Sequence, residues 1–324
     1  IVGEKYWRVP VPEAFWRQTP SQKLTAGHYA LHYYYGETPE GWPVEDVASI
    51  QKSVTSVVVG IARRKGLIDI ERSVSSYIGA GWSKAPPERE AAITVRHLLS
   101  MASGLDERLA YEAPAGSRWF YNTTAYGQLD KVLESATKRK IGDITKEWLT
   151  DPIGMTDSRW ESRAKPVAGS NNIGFVTTPR DLARFGLLML NRGMWDGRDI
   201  IADPAWLNAS FSPSQDQNPA YGYLWWLNRR AADTEPGQEF GGGWSVPTAP
   251  ADMIAARGNF TRRLFVAPSL SLVVVRFGPE AQTRRFDQEF WPRLARALPD
   301  GRPAAPASLD AGAARPVGPS HRPR

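Results

Sequence analysis

Apolar residues recur at offsets of three and four between Asp46 and Gly66. Val54, Val57, Val58 and Ile61 make one face of the helix that this spacing predicts, with Gly66 as its stop. Helical spacing returns in the middle of the chain, in TVRHLLSMASGL, TAYGQLDKVLESATKRK, GDITKEWLTDPIGM and TTPRDLARFGLLMLNRG. The last of these carries its own start: Thr178 at the N-cap, Pro179 at the first helical position and Asp181 in the first turn, with Arg192-Gly193 as the stop. Strand patterns bracket this helical middle. GHYALHYYYGE, Gly27 to Glu37, is rich in aromatics and bounded by glycine. RRLFVAPSLSLVVVRFG, Arg262 to Gly278, reads as two strands about a Pro-Ser turn, and FDQEFWPRLARAL, Phe286 to Leu298, as a helix packed on the sheet.

The pattern therefore predicts one domain over residues 1–298 with two lobes. An α/β lobe is built from about 1–70 and 215–298, and a mainly helical lobe, about 71–214, is inserted between its halves. Residues 299–324 are rich in Pro, Ala and Gly with few large apolar side chains, which predicts a disordered tail.

Composition narrows the function. The chain has 324 residues, 42% of them hydrophobic, enough for a large core. Its net charge is +6, of which the tail supplies +2 from four Arg and two Asp, so the body is mildly basic. It carries no dense Lys/Arg stripe, which argues against nucleic acid as a partner. No stretch approaches the roughly 20 apolar residues of a membrane span. With no cysteine there is no disulfide framework, thiolate metal site or thiol nucleophile. The chain opens on Ile1 rather than Met, as expected of a processed or truncated product.

Candidate chemistry starts at Ser49-Ile50-Gln51-Lys52, in the first turn of the predicted helix. Residues i and i+3 share a helix face, so the Lys52 amine can reach the Ser49 hydroxyl. A lysine serves as base only where its surroundings lower its pKa, and burial against an apolar helix face does so. The alternative is a helix-capping Ser49 with Lys52 in water. The other chemistries are weaker. His28, His32, His97 and His321 are the only histidines, and no G-x-S-x-G elbow is present. No cluster has metal-ligand spacing, so no metal or cofactor is expected. The run Gly241-Gly242-Gly243 lacks a phosphate loop's Lys-Ser/Thr and reads as a rim loop.

SIQKSVTSVVVGIARRKGLIDIERSVSSYI resembles the nucleophile segment of the serine β-lactamase and penicillin-binding superfamily, in particular its class C β-lactamase and esterase branch. ITVRHLLSMASGL, AGSRWFYNTTAYGQLDKVLE, GFVTTPRDLARFGLLMLNRGMWDGRDII and YGYLWWLN resemble later segments of that branch, in the same order. The resemblance implies an α+β sandwich: an antiparallel sheet covered by helices, with an inserted helical lobe. It implies Ser49 as acyl-accepting nucleophile, Lys52 as general base or proton relay, and Tyr121 as the tyrosine of the Y-x-N motif. It implies an oxyanion hole from the backbone N–H groups of Ser49 and Asn259, with Gly258 at a close backbone approach. Two positions depart from the branch. Thr123 stands where the motif has Asn, and Ala256-Arg257-Gly258 falls on the late Lys-Thr-Gly motif without its leading cation. Arg257, Arg262 and Arg263 are the candidate replacements.

The expected function is a serine hydrolase acting through an acyl-enzyme on a small ester or amide, without cofactor. Trp225 and Trp226, among thirteen tryptophans, are candidate walls of an apolar acyl pocket. The alternatives are a β-lactamase or D-Ala-D-Ala carboxypeptidase, and a non-catalytic penicillin-binding-like receptor or scaffold. The resemblance also favours a periplasmic or secreted location.

Overall fold

The computed structural model describes residues 34–163, 173–229, 246–278, 281, 283 and 285–298. Two strands come first, β1 (Tyr34–Glu37) and β2 (Pro43–Asp46), and a 3-10 turn over Ala48–Ile50 leads into helix α1 (Gln51–Arg64). The helical middle follows: α2 (Ser75–Ile78), α3 (Pro87–Ala91), α4 (Val95–Leu99), α5 (Thr123–Tyr126), α6 (Gln128–Thr137) and α7 (Ile141–Thr145), the last running on as a π-helical turn over Lys146–Thr150. Strands β3 (Arg159–Ser162) and β4 (Ile173–Thr177) precede α8 (Pro179–Leu190). A small ribbon, β5 (Met194–Trp195) with β6 (Arg198–Asp199), leads to α9 (Pro204–Ser210). The chain then forms β7 (Trp226–Leu227), β8 (Ile254–Gly258), β9 (Arg262–Ala267), β10 (Leu272–Arg276) and α10 (Phe286–Ala297).

The late strands form an antiparallel sheet in the order β10-β9-β8-β7. Neighbouring strand residues face opposite sides, and Leu264 and Phe265 show which helix covers each face. A Cβ on Gly186 of α8 would lie 2.8 Å from Leu264, while the Phe265 ring meets Trp291 of α10 at 5.5 Å. The sheet is thus sandwiched between α8 and α10, and the α+β reading holds. A second antiparallel sheet has the order β1-β2-β4-β3. Tyr34–Glu37, the described end of the early strand, joins this second sheet rather than the late strands. Residues 27–33, the glycine run and the 299–324 tail lie outside the described residues.

Helix α1 is the core of the molecule. Every residue from Gln51 to Ala62 is buried, polar ones included. Two of the polar residues are tied to distant parts of the chain: Ser53 Oγ donates to the Leu224 carbonyl at 2.8 Å, and Thr55 Oγ1 bonds the Tyr126 hydroxyl at 2.9 Å. The helix stops as expected. Gly66 has a φ of 72°, and the N–H groups of Gly66 and Leu67 donate back to the Arg63 and Ala62 carbonyls at 2.9 and 3.0 Å. Its start differs from the expected Asp46. Asp46 ends strand β2, and the Val47 N–H is taken by the Phe175 carbonyl at 3.0 Å, so the α-helix begins only at Gln51.

Candidate active site

Between Val44 and Ala62, Ser49 is the one residue that is not buried. The turn before it is held from both sides. Ala48 has a φ of 52°, a left-handed conformation that non-glycine residues adopt only when their surroundings enforce it. Here Asp46 Oδ1 accepts the Ala48 N–H at 2.7 Å. Ser49 therefore sits in the 3-10 turn ahead of α1, and Lys52 in the first turn of α1.

Lys52 Nζ donates to Ser49 Oγ at 3.0 Å. The amine is held between two aromatic rings, 4.9 Å from the centres of Tyr121 and Tyr126. Burial, and then the positive charge of Arg163, push its pKa down to about 7, against the pull of Asp130. A neutral amine within hydrogen-bond reach of a serine hydroxyl is a competent general base near neutral pH.

Tyr121 closes the third side of the centre through a hydrogen bond with Ser49. Burial pushes its phenol up to about 12 and outweighs both that bond and the nearby Arg257 charge. The phenol thus keeps its proton near neutral pH, while the Lys52 amine is held close to its deprotonated form. Its ring belongs to an aromatic cluster: it stacks on Trp226 at 5.8 Å and meets Tyr221 edge-on at 6.1 Å, with Trp119 at 6.4 Å. Trp225, the neighbouring residue, turns the other way and stacks on Phe185 in the core at 5.9 Å.

Strand β8 arrives beside this centre. A Cβ on Gly258 would lie 2.5 Å from the Val47 carbonyl oxygen and 3.4 Å from Ala48, so only glycine lets the strand end lie against the turn that carries Ser49. Asn259 follows, exposed, in the turn between β8 and β9. Arg257 is buried, lies over the Trp226 ring at 5.1 Å, and has Nη2 3.7 Å from Asp287 Oδ2. Of the other candidate cations, Arg263 bonds Asp287 Oδ1 at 2.8 Å and fully buried Arg262 pairs with Glu45. Thr123 is half-buried and opens α5, two residues beyond Tyr121.

A family model described as Beta-lactamase matches residues 44–296. The chain belongs to the beta-lactamase family. Membership places it in the serine hydrolase superfamily. Among solved structures, a beta-lactamase from Mycobacterium bovis is similar at 19% identity and a TM-score of 0.58, over 78% of this chain and 85% of that one. A beta-lactamase/D-alanine carboxypeptidase from Yersinia pestis is similar at 17% identity and a TM-score of 0.59, over 80% and 84%. A protein named as a 6-aminohexanoate-dimer hydrolase, from Bacillus anthracis, is similar at 17% identity and a TM-score of 0.58, over 80% and 74%. These likenesses concern the fold. No curated protein matches the chain.

Several side chains of this beta-lactamase-family centre escape sequence reasoning. Arg163 bonds Asp46 and Gln51 from more than a hundred residues away. Asp130 is buried on α6, and burial pushes its carboxyl up to about 7 despite the charges of Lys52 and Arg163. Its signal was available: Asp130 lies four residues beyond Tyr126, among the buried Leu129, Val132 and Leu133. Other polar residues near the site are structural. His97 Nδ1 accepts the Thr94 N–H at 3.0 Å in a capping box at the start of α4. Asn122, beside Tyr121, caps α5 and donates to the Leu105 and Asp106 carbonyls at 3.0 and 2.7 Å. Among the described residues, no group of His, Cys, Asp and Glu is placed to hold a metal ion, and no helix is long and apolar enough to cross a membrane.

Proposed function

We propose that this chain is a Ser-Lys-Tyr hydrolase that cleaves a small ester or linear amide through an acyl-enzyme on Ser49. The observation that carries the reading is the 3.0 Å contact between Lys52 Nζ and Ser49 Oγ, at the one point where a buried segment opens. With the Lys52 amine neutral, the hydrogen bond reverses and the Ser49 hydroxyl donates to Nζ. As Oγ attacks the substrate carbonyl, that proton passes to Lys52. The backbone N–H groups of Ser49 and Asn259 stabilise the developing oxyanion, an effect of about 3 kcal/mol per donor in well-formed sites. Tyr121, kept protonated by burial, gives its proton to the leaving oxygen or nitrogen and regains one from Lys52. Water then attacks the acyl-enzyme by the same route.

The aromatic wall of Trp119, Tyr121, Tyr221 and Trp226 supports an apolar acyl group. Ala256 offers no cation at the first position of the late motif, and Thr123 offers no amide, both of which weigh against efficient β-lactam turnover. One structural neighbour is named a 6-aminohexanoate-dimer hydrolase, so a linear amide is the second substrate to try. The test is p-nitrophenyl butyrate hydrolysis by the wild type, Ser49→Ala and Lys52→Ala. Activity lost in both variants supports the reading, and full activity in Ser49→Ala sinks it. Rapid nitrocefin turnover would move the protein to the β-lactamase side, and stable penicillin labelling without turnover to a receptor.

A further inference from the structure

Behind the nucleophile lies a buried polar clamp that the reaction scheme does not use. Arg163 grips Asp46 with two bonds, Nε to Oδ2 at 2.7 Å and Nη2 to Oδ1 at 2.9 Å. The same Nη2 donates to Gln51 Oε1 at 3.0 Å. Asp46 and Gln51 flank Ser49 in the chain, three residues before it and two after. Asp46 also takes the Ala48 N–H, the bond that holds the residue before the nucleophile in its left-handed conformation. Gln51 Oε1 accepts the Phe175 N–H at 3.3 Å, and its side chain bonds the Tyr126 hydroxyl. The site is built for the pair: Asp46 is 1% exposed, and a Cβ on Gly174 would lie 2.1 Å from Asp46 Oδ2 and 3.0 Å from Arg163 Nε.

We infer that Arg163 is a positioning residue of the Ser49–Lys52 centre: it fixes the backbone on both sides of Ser49 through Asp46 and Gln51, and it places a cation near Lys52. The inference rests on the Ser-Lys-Tyr reading above. The groups facing Lys52 are Ser49 on its own segment, Tyr121, Tyr126 on α5, Asp130 on α6 and Arg163 beyond β3. Arg163 and Asp130 act on the amine in opposite directions, so loss of the Arg163 charge leaves Asp130 to favour the ammonium.

Labelling of Ser49 by a fluorophosphonate, followed across neutral pH, tests this without the natural substrate. Wild-type labelling no faster than that of Ser49→Ala would sink the Ser-Lys-Tyr reading, and the clamp with it. With wild-type labelling present, Arg163→Gln is expected to label at least about ten-fold more slowly, as a displaced nucleophile does. Its acid limb is expected at higher pH. Arg163→Lys retains a cation, and should hold the acid limb near the wild-type position while recovering part of the rate. If Arg163→Gln does not fold because Asp46 is left as a buried lone charge, Asp46→Asn/Arg163→Gln removes both charges together. A folded variant of either kind with the wild-type rate and acid limb overturns the proposal.

Discussion

The Lys52 amine meets the face of the Tyr121 ring, 4.9 Å from its centre, while the Tyr121 hydroxyl bonds Ser49. Amine and phenol therefore reach the same serine oxygen by different routes. Burial drives their proton affinities apart, the amine down to about 7 and the phenol up to about 12. Two groups whose surroundings separate them in this way can serve as base and acid in one cycle.

The first consequence is a pH profile. In the proposed mechanism Ser49 is activated only when Lys52 is neutral, so its acylation rate should rise with pH and level off above about 7. The pH dependence of single-turnover acylation by p-nitrophenyl butyrate measures it. A rate still climbing steeply toward the usual lysine range would assign the base elsewhere.

Lys52 also sets a trade between activity and stability. Burial holds its amine at a pKa of about 7 in the folded chain, against the ordinary lysine value of about 10.4 in the unfolded one. Between these values the unfolded chain binds the extra proton, so stability rises with pH across that window. Below it the destabilisation by the buried amine is present in full. Lys52→Met should therefore be inactive yet melt higher than the wild type at neutral pH, by at least about 2 °C. Thermal scans at neutral and alkaline pH check this, and the gap between the two proteins should narrow as pH rises.

Tyr121→Phe keeps the ring stacked on Trp226 and removes only the hydroxyl. The expected loss in turnover is about 10²–10⁴-fold, the usual worth of a positioned proton donor. The melting temperature should change little. Turnover within two-fold of wild type would remove Tyr121 from the proton path.

Gly258→Ala places a methyl group 2.5 Å from the Val47 carbonyl oxygen, and backbone on both sides leaves little room to yield. Strand β8 must then move off the nucleophile turn, carrying Asn259 with it. Turnover should fall by about 10²-fold, the scale of losing one oxyanion donor, with KM less affected. Steady-state kinetics separates the two, and an unchanged kcat would exclude Asn259 from the oxyanion hole.

Asn122→Ala tests the part of the site that is scaffold. It removes a helix cap and two bonds, to the carbonyls of buried Leu105 and half-buried Asp106. Stability should drop by about 1–3 kcal/mol in urea unfolding, while the rate per folded molecule holds.

What the sequence made legible follows from the range of each contact. Ser49 and Lys52 are three residues apart, and local helical geometry alone brings them together. Tyr121 lies much further along the chain, and only a resemblance of ordered segments pointed to it. The clamp joins Arg163 to Asp46 across 117 residues, a distance over which no periodicity carries information. The two neighbouring tryptophans show a partial reading: residue type marked both as pocket candidates, but adjacent positions of extended chain face opposite sides. Both are buried, but Trp226 stacks on Tyr121 while Trp225 stacks on Phe185. The boundary of α1 was missed because Asp46 and Val47 give their hydrogen bonds to the turn and to strand β4, which a helical pattern does not reveal.

The enclosure of α1 from Gln51 to Ala62 divides the molecule for anyone who would re-engineer it. A helix packed on all sides from Gln51 to Ala62 has no face on which a side chain can be exchanged without disturbing a neighbour. Libraries aimed at new acyl groups should therefore yield folded, active clones at the half-buried rim, at Trp119 and Thr123, and almost none along that helix.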